Sequence, residues 1–243
     1  MGCAISAFQR LSPRRSRDSK TGTPDSHTRG EIGSDSHGGK SSDAIRNAFL
    51  SGQLKLDSRC PLDERQVYCI TKSWKAINRN MSVTAINMFV RLFETNRDIQ
   101  ELFSNLKDFQ NVSDLRNSKV LEGHAMKVFC TIDDTIVNFD DMDYVLRMLQ
   151  IVAQSHSQRF PNFDPGFFWR VEEPFILAVR EELGDRFTVS IETTYRATIR
   201  FIVGTLAQEF INARKMSTAN DESNNPRNST DGSIVPKQKS NGV

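Results

Sequence analysis

Two histidines constrain this chain more than any other feature. His124 lies in Val120-Leu-Glu-Gly-His-Ala-Met-Lys-Val-Phe129, and His156 lies in Leu149-Gln-Ile-Val-Ala-Gln-Ser-His-Ser157. Each sits on the apolar stripe of a helical repeat. Leu121, Ala125, Val128 and Ile132 form the first stripe, and Val145, Leu146, Leu149, Val152 and Ala153 form the second. The two lie 32 positions apart, room for a helix, a reversal and a second helix. Two imidazoles then face each other across a slot. A slot with apolar walls and imidazole nitrogens suits a flat iron porphyrin. A lone histidine on such a stripe is more often a core residue bonded to a carbonyl, so the argument rests on the pair and its surroundings.

The rest of the periodic region is helical. Val67, Ile70, Trp74 and Ile77 place a first helix over Asp63 to Arg79, and Ser82 reads as the N-cap of a second, with Ile86, Phe89 and Phe93 inward. A short helical turn runs to Phe103, and the polar residues Ser104 to Asn117 read as a loop. Asn117 or Ser118 caps the His124 helix, which ends near Asn138. Asp140 to Asp143 reverse the chain into the His156 helix, which Phe160-Pro161 terminates. Asp164-Pro165 opens a helix bearing Phe168, Val171, Phe175, Ala178 and Leu183, with a kink expected at Pro174. Thr188 caps the last helix, whose stripe runs from Ile191 through Tyr195, Ile199, Ile202, Val203 and Leu206 to Phe210. No strand-like alternation competes, so the fold class is all-α.

Composition divides the 243 residues into four parts. Residues 61–214 form one folded domain, large enough for a single core. Residues 21–60 and 215–243, rich in Ser, Gly, Asn and Asp, read as a disordered tether and a disordered tail. The overall charge of +2 argues against a nucleic-acid partner. By segment, residues 1–60 carry +4 and the folded part is mildly acidic at −3. No apolar run approaches the ~18 residues of a spanning helix. Cys3, Cys60, Cys69 and Cys130 form no C-x-x-C pair, which excludes thioether-attached haem and gives no zinc pattern. They read as reduced cytosolic thiols; pairing of Cys60 with Cys69 is the less favoured alternative.

Residues 1–20 read as a membrane anchor. Met1-Gly-Cys-Ala-Ile-Ser6 fits the pattern for myristoylation of Gly2. One such chain binds membranes only marginally, so a second signal is needed. Cys3 is placed for palmitoylation, and Arg10, Arg14, Arg15, Arg17 and Lys20 supply a basic run that favours an anionic leaflet. The expected location is the cytoplasmic face of a cell membrane, the plasma membrane first among them.

Trp74, the Phe89 and Phe93 pair, Phe103, His124 with Lys127-Val128, and His156 occur in an order that resembles the globin family, its neuroglobin-like and nematode branches in particular. The resemblance spans about Asp63 to Arg214. It implies a three-over-three helical sandwich holding haem b (iron protoporphyrin IX). In that reading His156 is the proximal iron ligand. His124 is the distal residue, which either hydrogen-bonds dioxygen or coordinates the iron itself. Phe103 matches the aromatic packed on the haem face, and Phe89 and Val128 the lining of the distal side, with Val152 on the proximal side. Lys127 and Arg159 are candidates for the haem propionates, or else solvated surface charges.

The function implied is a membrane-tethered, bis-histidine haem protein that senses dioxygen or redox state or relays electrons. Its partners are then dioxygen or another small diatomic ligand, membrane lipids and an electron donor or acceptor. Reversible dioxygen storage or transport is the first alternative. The second is a haem enzyme for nitrite reduction, superoxide production or nitric oxide dioxygenation. No flavin reductase domain is recognisable in the sequence, so such turnover draws on an external reductase.

Overall fold

The computed structural model describes residues 42–224. Helix α1 (Ser42–Leu50) packs on α2 (Glu64–Arg79). Asp63 starts α2 with a capping box: its carboxylate accepts from the Gln66 N–H at 2.7 Å, and the Gln66 side chain accepts from the Asp63 N–H at 3.0 Å. Helix α3 (Met81–Thr95) follows at once, then the short helices α4 (Arg97–Glu101) and α5 (Val112–Asn117). Helix α6 (Lys119–Val137) carries His124 and is capped by Ser118. Helix α7 (Met142–Arg159) carries His156 and is capped by Asp141. A 3-10 helix over Pro165–Val171 leads into α8 (Glu172–Leu183), and α9 (Val189–Asn224) closes the fold.

Two layers result. Helices α2, α6 and α7 lie across α3, α8 and α9, with α7 packed along α9, α3 on both α6 and α8, and α2 touching α6, α8 and α9. This is the three-over-three helical sandwich that the resemblance implies. One apolar core runs through it, from Val67, Ile70 and Trp74 to Tyr195, Ile199 and Phe210. Gly184 ends α8 at a φ of 53°, a left-handed value that a side chain would strain. Gly204 on α9 admits the Trp169 ring, which would lie 3.3 Å from a Cβ there.

The structure corrects five expectations. Residues 42–50 are not part of a disordered tether: they are helical, and Ile45 is only 1% exposed, buried against the core. The segment is amphipathic but too short to read as a helix by itself, and packing on α2 stabilises it. The last helix does not stop at Lys215 but continues to Asn224. Ser82 lies inside α3, which starts after Asn80, and its hydroxyl donates to the Glu122 carboxylate at 3.1 Å instead of capping. The supposed loop before the His124 helix contains α5, whose buried Leu115 fixes it to the core. Pro174 causes no mid-helix kink, because it falls in the first turn of α8, where its missing N–H has no intrahelical partner to lose. Residues 51–60 also depart from the expected tether: they form turns, and Leu54, Leu56 and Cys60 pack against the core. Residues 21–41 of the tether, the tail beyond 224, and the anchor with Gly2 and Cys3 lie outside the described residues.

Candidate functional site

An apolar cavity opens between the α6 and α7 segments. Both histidines line it. Apart from them and Thr131 its walls are apolar: α3 gives Phe89 and Leu92, α6 gives Val128 and Ile132, and α9 gives Ile199 and Val203. The Thr131 hydroxyl is already used, donating to the Lys127 carbonyl at 3.0 Å. The imidazoles are therefore the metal-binding groups the cavity presents. No cluster of three or more His, Cys, Asp or Glu is poised for a metal among the described residues.

His156 is oriented by its own helix. Its Nδ1 lies 2.8 Å from the Val152 carbonyl oxygen, an acceptor only, so Nδ1 carries the proton and donates it. Nε2 is left as the nitrogen with a free lone pair, the arrangement that metal-bound histidines commonly use. Burial pushes the ring's pKa down, against the Val152 carbonyl, which favours the protonated form. Phe168, Phe163 and Phe160 surround the ring at centroid distances of 5.3, 5.6 and 6.0 Å.

His124 differs in one respect. Its ring stands edge-on to Phe103 at 5.0 Å and to Phe89 at 5.2 Å, and it makes no hydrogen bond among the described residues. Burial lowers its pKa to about 4, with the nearby His156 and Lys127 adding to the effect. The ring is thus neutral at physiological pH, with a lone pair available. The ring is half-buried, and its nitrogens keep access to whatever fills the cavity.

These features fit a haem: an apolar volume for a macrocycle, one imidazole fixed with its lone pair free, and a second without a partner. The structure brings His124, His156, Phe89, Phe103, Val128 and Val152 to one cavity. It does not bring Lys127 and Arg159 there; both are exposed beside the two histidines. Sequence reasoning missed the phenylalanines that follow α7. Phe163 contacts His156, Phe160, Phe167, Phe168 and Phe210, and so joins the α7 terminus to α9. Four phenylalanines within residues 160–168 were the available signal.

The globin family model matches residues 86–206, a span that includes both histidines. Cytoglobin-2 of Oryzias latipes is 21% identical over 135 residues, which cover 56% of this chain and 75% of the relative. Neuroglobin of Dissostichus mawsoni is 24% identical over 147 residues, covering 60% of this chain and 91% of the relative. Among solved structures, a hexacoordinated heme protein from an anhydrobiotic tardigrade aligns with a TM-score of 0.61 at 28% identity, over 64% of this chain and 99% of that one.

Proposed function

This chain belongs to the globin family, and from that premise we propose that it is a membrane-tethered haem protein that relays electrons or senses redox state or dioxygen, with His156 and His124 as its two axial ligands. The haem is b-type, held without thioether bonds, since no C-x-x-C pair exists in the sequence. When bound, the group supplies a redox-active iron and a site for a small diatomic ligand.

The chain's residues do the rest. The Val152 carbonyl holds the His156 proton at Nδ1 and turns Nε2 to the cavity. Phe89, Phe103, Val128 and Val152 exclude water from both faces. Lys127 and Arg159 are exposed and do not line the cavity, and they read as solvated surface charges. The placement of both imidazoles in the wall of one otherwise apolar cavity carries the bis-histidine reading. Among the described residues no protein group competes for the nitrogens of His124, and the Nδ1 bond of His156 leaves its Nε2 free.

With both His156 and His124 holding the iron, the group would supply electron transfer more readily than binding of a diatomic ligand, for which His124 would have to give way. The Gly2 and Cys3 acylation pattern with its basic run supports action at the cytoplasmic face of the plasma membrane. A protein that only stored dioxygen would gain nothing from one surface. Absorption spectra of the haem-loaded full chain test the assignment. Low-spin, six-coordinate spectra in both the ferric and ferrous states are expected. A five-coordinate, high-spin ferrous form would overturn it in favour of dioxygen storage.

A further inference from the structure

A second cavity, sharing no wall residue with the first, lies between α1 and α2. Arg46 comes from α1, and Tyr68, Thr71, Lys72 and Lys75 from α2. All five precede the residues matched by the globin family model. We propose that this cleft binds a phosphomonoester group.

Charge is the first ground. Three cationic side chains line the cleft. Lys75 is engaged by Asp43 at 2.6 Å, while Arg46 and Lys72 make no ion pair among the described residues. The second ground is the buried hydroxyl of Thr71. The residue is 2% exposed, and its Oγ1 has no hydrogen-bond partner among the described residues. Thr84, Thr131, Thr135, Thr194 and Thr198 all donate to the carbonyl four residues earlier. Thr71 departs from that habit: its hydroxyl is buried without a partner among the described residues, and the residue lines the cleft. An unsatisfied buried hydroxyl is a penalty that an accepting oxyanion removes.

Ile45 is buried beneath α1, and Phe49 stacks on Tyr68 at 4.6 Å, so the two helices that carry the cations are fixed against each other. The space between the two helices accommodates a phosphate. A phosphomonoester presents three acceptor oxygens and nearly two negative charges at neutral pH, which matches a guanidinium, an ammonium and a hydroxyl donor. The group can come from a phospholipid headgroup or from a soluble phosphate. Only the shared chemistry is inferred.

The test uses the haem-loaded full chain, its Thr71→Val and Lys72→Glu variants, and two probes. Inorganic phosphate is titrated against chloride of matched ionic strength, with thermal unfolding as the readout. Vesicles of phosphatidylcholine with phosphatidic acid are compared in flotation with vesicles carrying phosphatidylserine at equal charge. Thr71→Val replaces an unpartnered hydroxyl by a methyl and is expected to fold at least as stably. The wild type should gain thermal stability with phosphate, and each variant should bind about tenfold more weakly. A preference for phosphatidic acid that Lys72→Glu abolishes assigns the group to a lipid. A phosphate effect without lipid preference assigns it to a soluble phosphate. The proposal is overturned if neither probe acts beyond its control, or if the effects survive in both variants.

Discussion

Trp74 donates its indole N–H to the Asp133 carboxylate at 2.8 Å, and both residues are buried. The bond joins α2 to α6 at the point where Phe129, Tyr195 and Phe175 gather around the indole at 6.0, 6.2 and 6.5 Å. Burial pushes the Asp133 carboxyl pKa up, and the indole N–H pulls it back. Trp74→Phe keeps an aromatic ring but strands the carboxylate, whose remaining donor, Asn78, is 3.4 Å away. A loss of about 2 kcal/mol in urea unfolding is expected. Combined with Asp133→Leu, the loss should be smaller than the sum of the two single effects. Strict additivity would show that the two groups are not coupled.

Asp134 gives the chain a measurable pH dependence. Burial, with Asp133 beside it, raises its carboxyl pKa from 3.8 to about 7. The native state therefore keeps this proton when the unfolded chain has released it. Stability from this group is present below pH 3.8 and is lost as pH rises to about 7. His124, with a depressed value, contributes the opposite slope in an overlapping range, so the raw stability curve is not the test. The difference between Asp134→Asn and the wild type is. In haem-free protein the variant's advantage should grow from about pH 4 to pH 7 and then level off. A pH-independent difference would contradict the assignment.

Helix α1 should behave as part of the folded unit. Ile45→Ala removes a fully buried side chain and should cost about 2 to 3 kcal/mol in chemical unfolding, with faster amide exchange in residues 42–50. Unchanged stability and exchange would place α1 outside the cooperative unit.

Helical periodicity and caps were enough to read α2, α6, α7 and α9 from the sequence, because each presents a long apolar stripe and begins at an acid or a hydroxyl. The two histidines were legible for the same reason: each falls on such a stripe. Helix α1 was not, since Ile45 and Phe49 among Ser, Asp, Arg and Asn make too little local pattern, and packing on α2 sets its structure. Pro174 misled because its effect depends on its distance from the helix start, and a preceding 3-10 helix hid that start. The role of Phe163 depends on contacts with three separate segments, which spacing along the chain does not encode.

Membrane attachment has a direct test. Gly2→Ala removes the acceptor for myristate and should move the protein from the membrane fraction to the soluble fraction. Cys3→Ser should give partial, reversible attachment, since one chain and a basic run remain. Retention of the Gly2→Ala protein on membranes would contradict the anchor.

The central claim is that His124 and His156 hold one iron between them, and replacing the residue that has no hydrogen-bond partner tests it most directly. His124→Leu keeps the cavity apolar and leaves His156 and its Val152 bond in place. The account predicts that the haem-loaded ferrous variant changes from a six-coordinate, low-spin absorption spectrum to a five-coordinate, high-spin one. A spectrum identical to the wild type would contradict it.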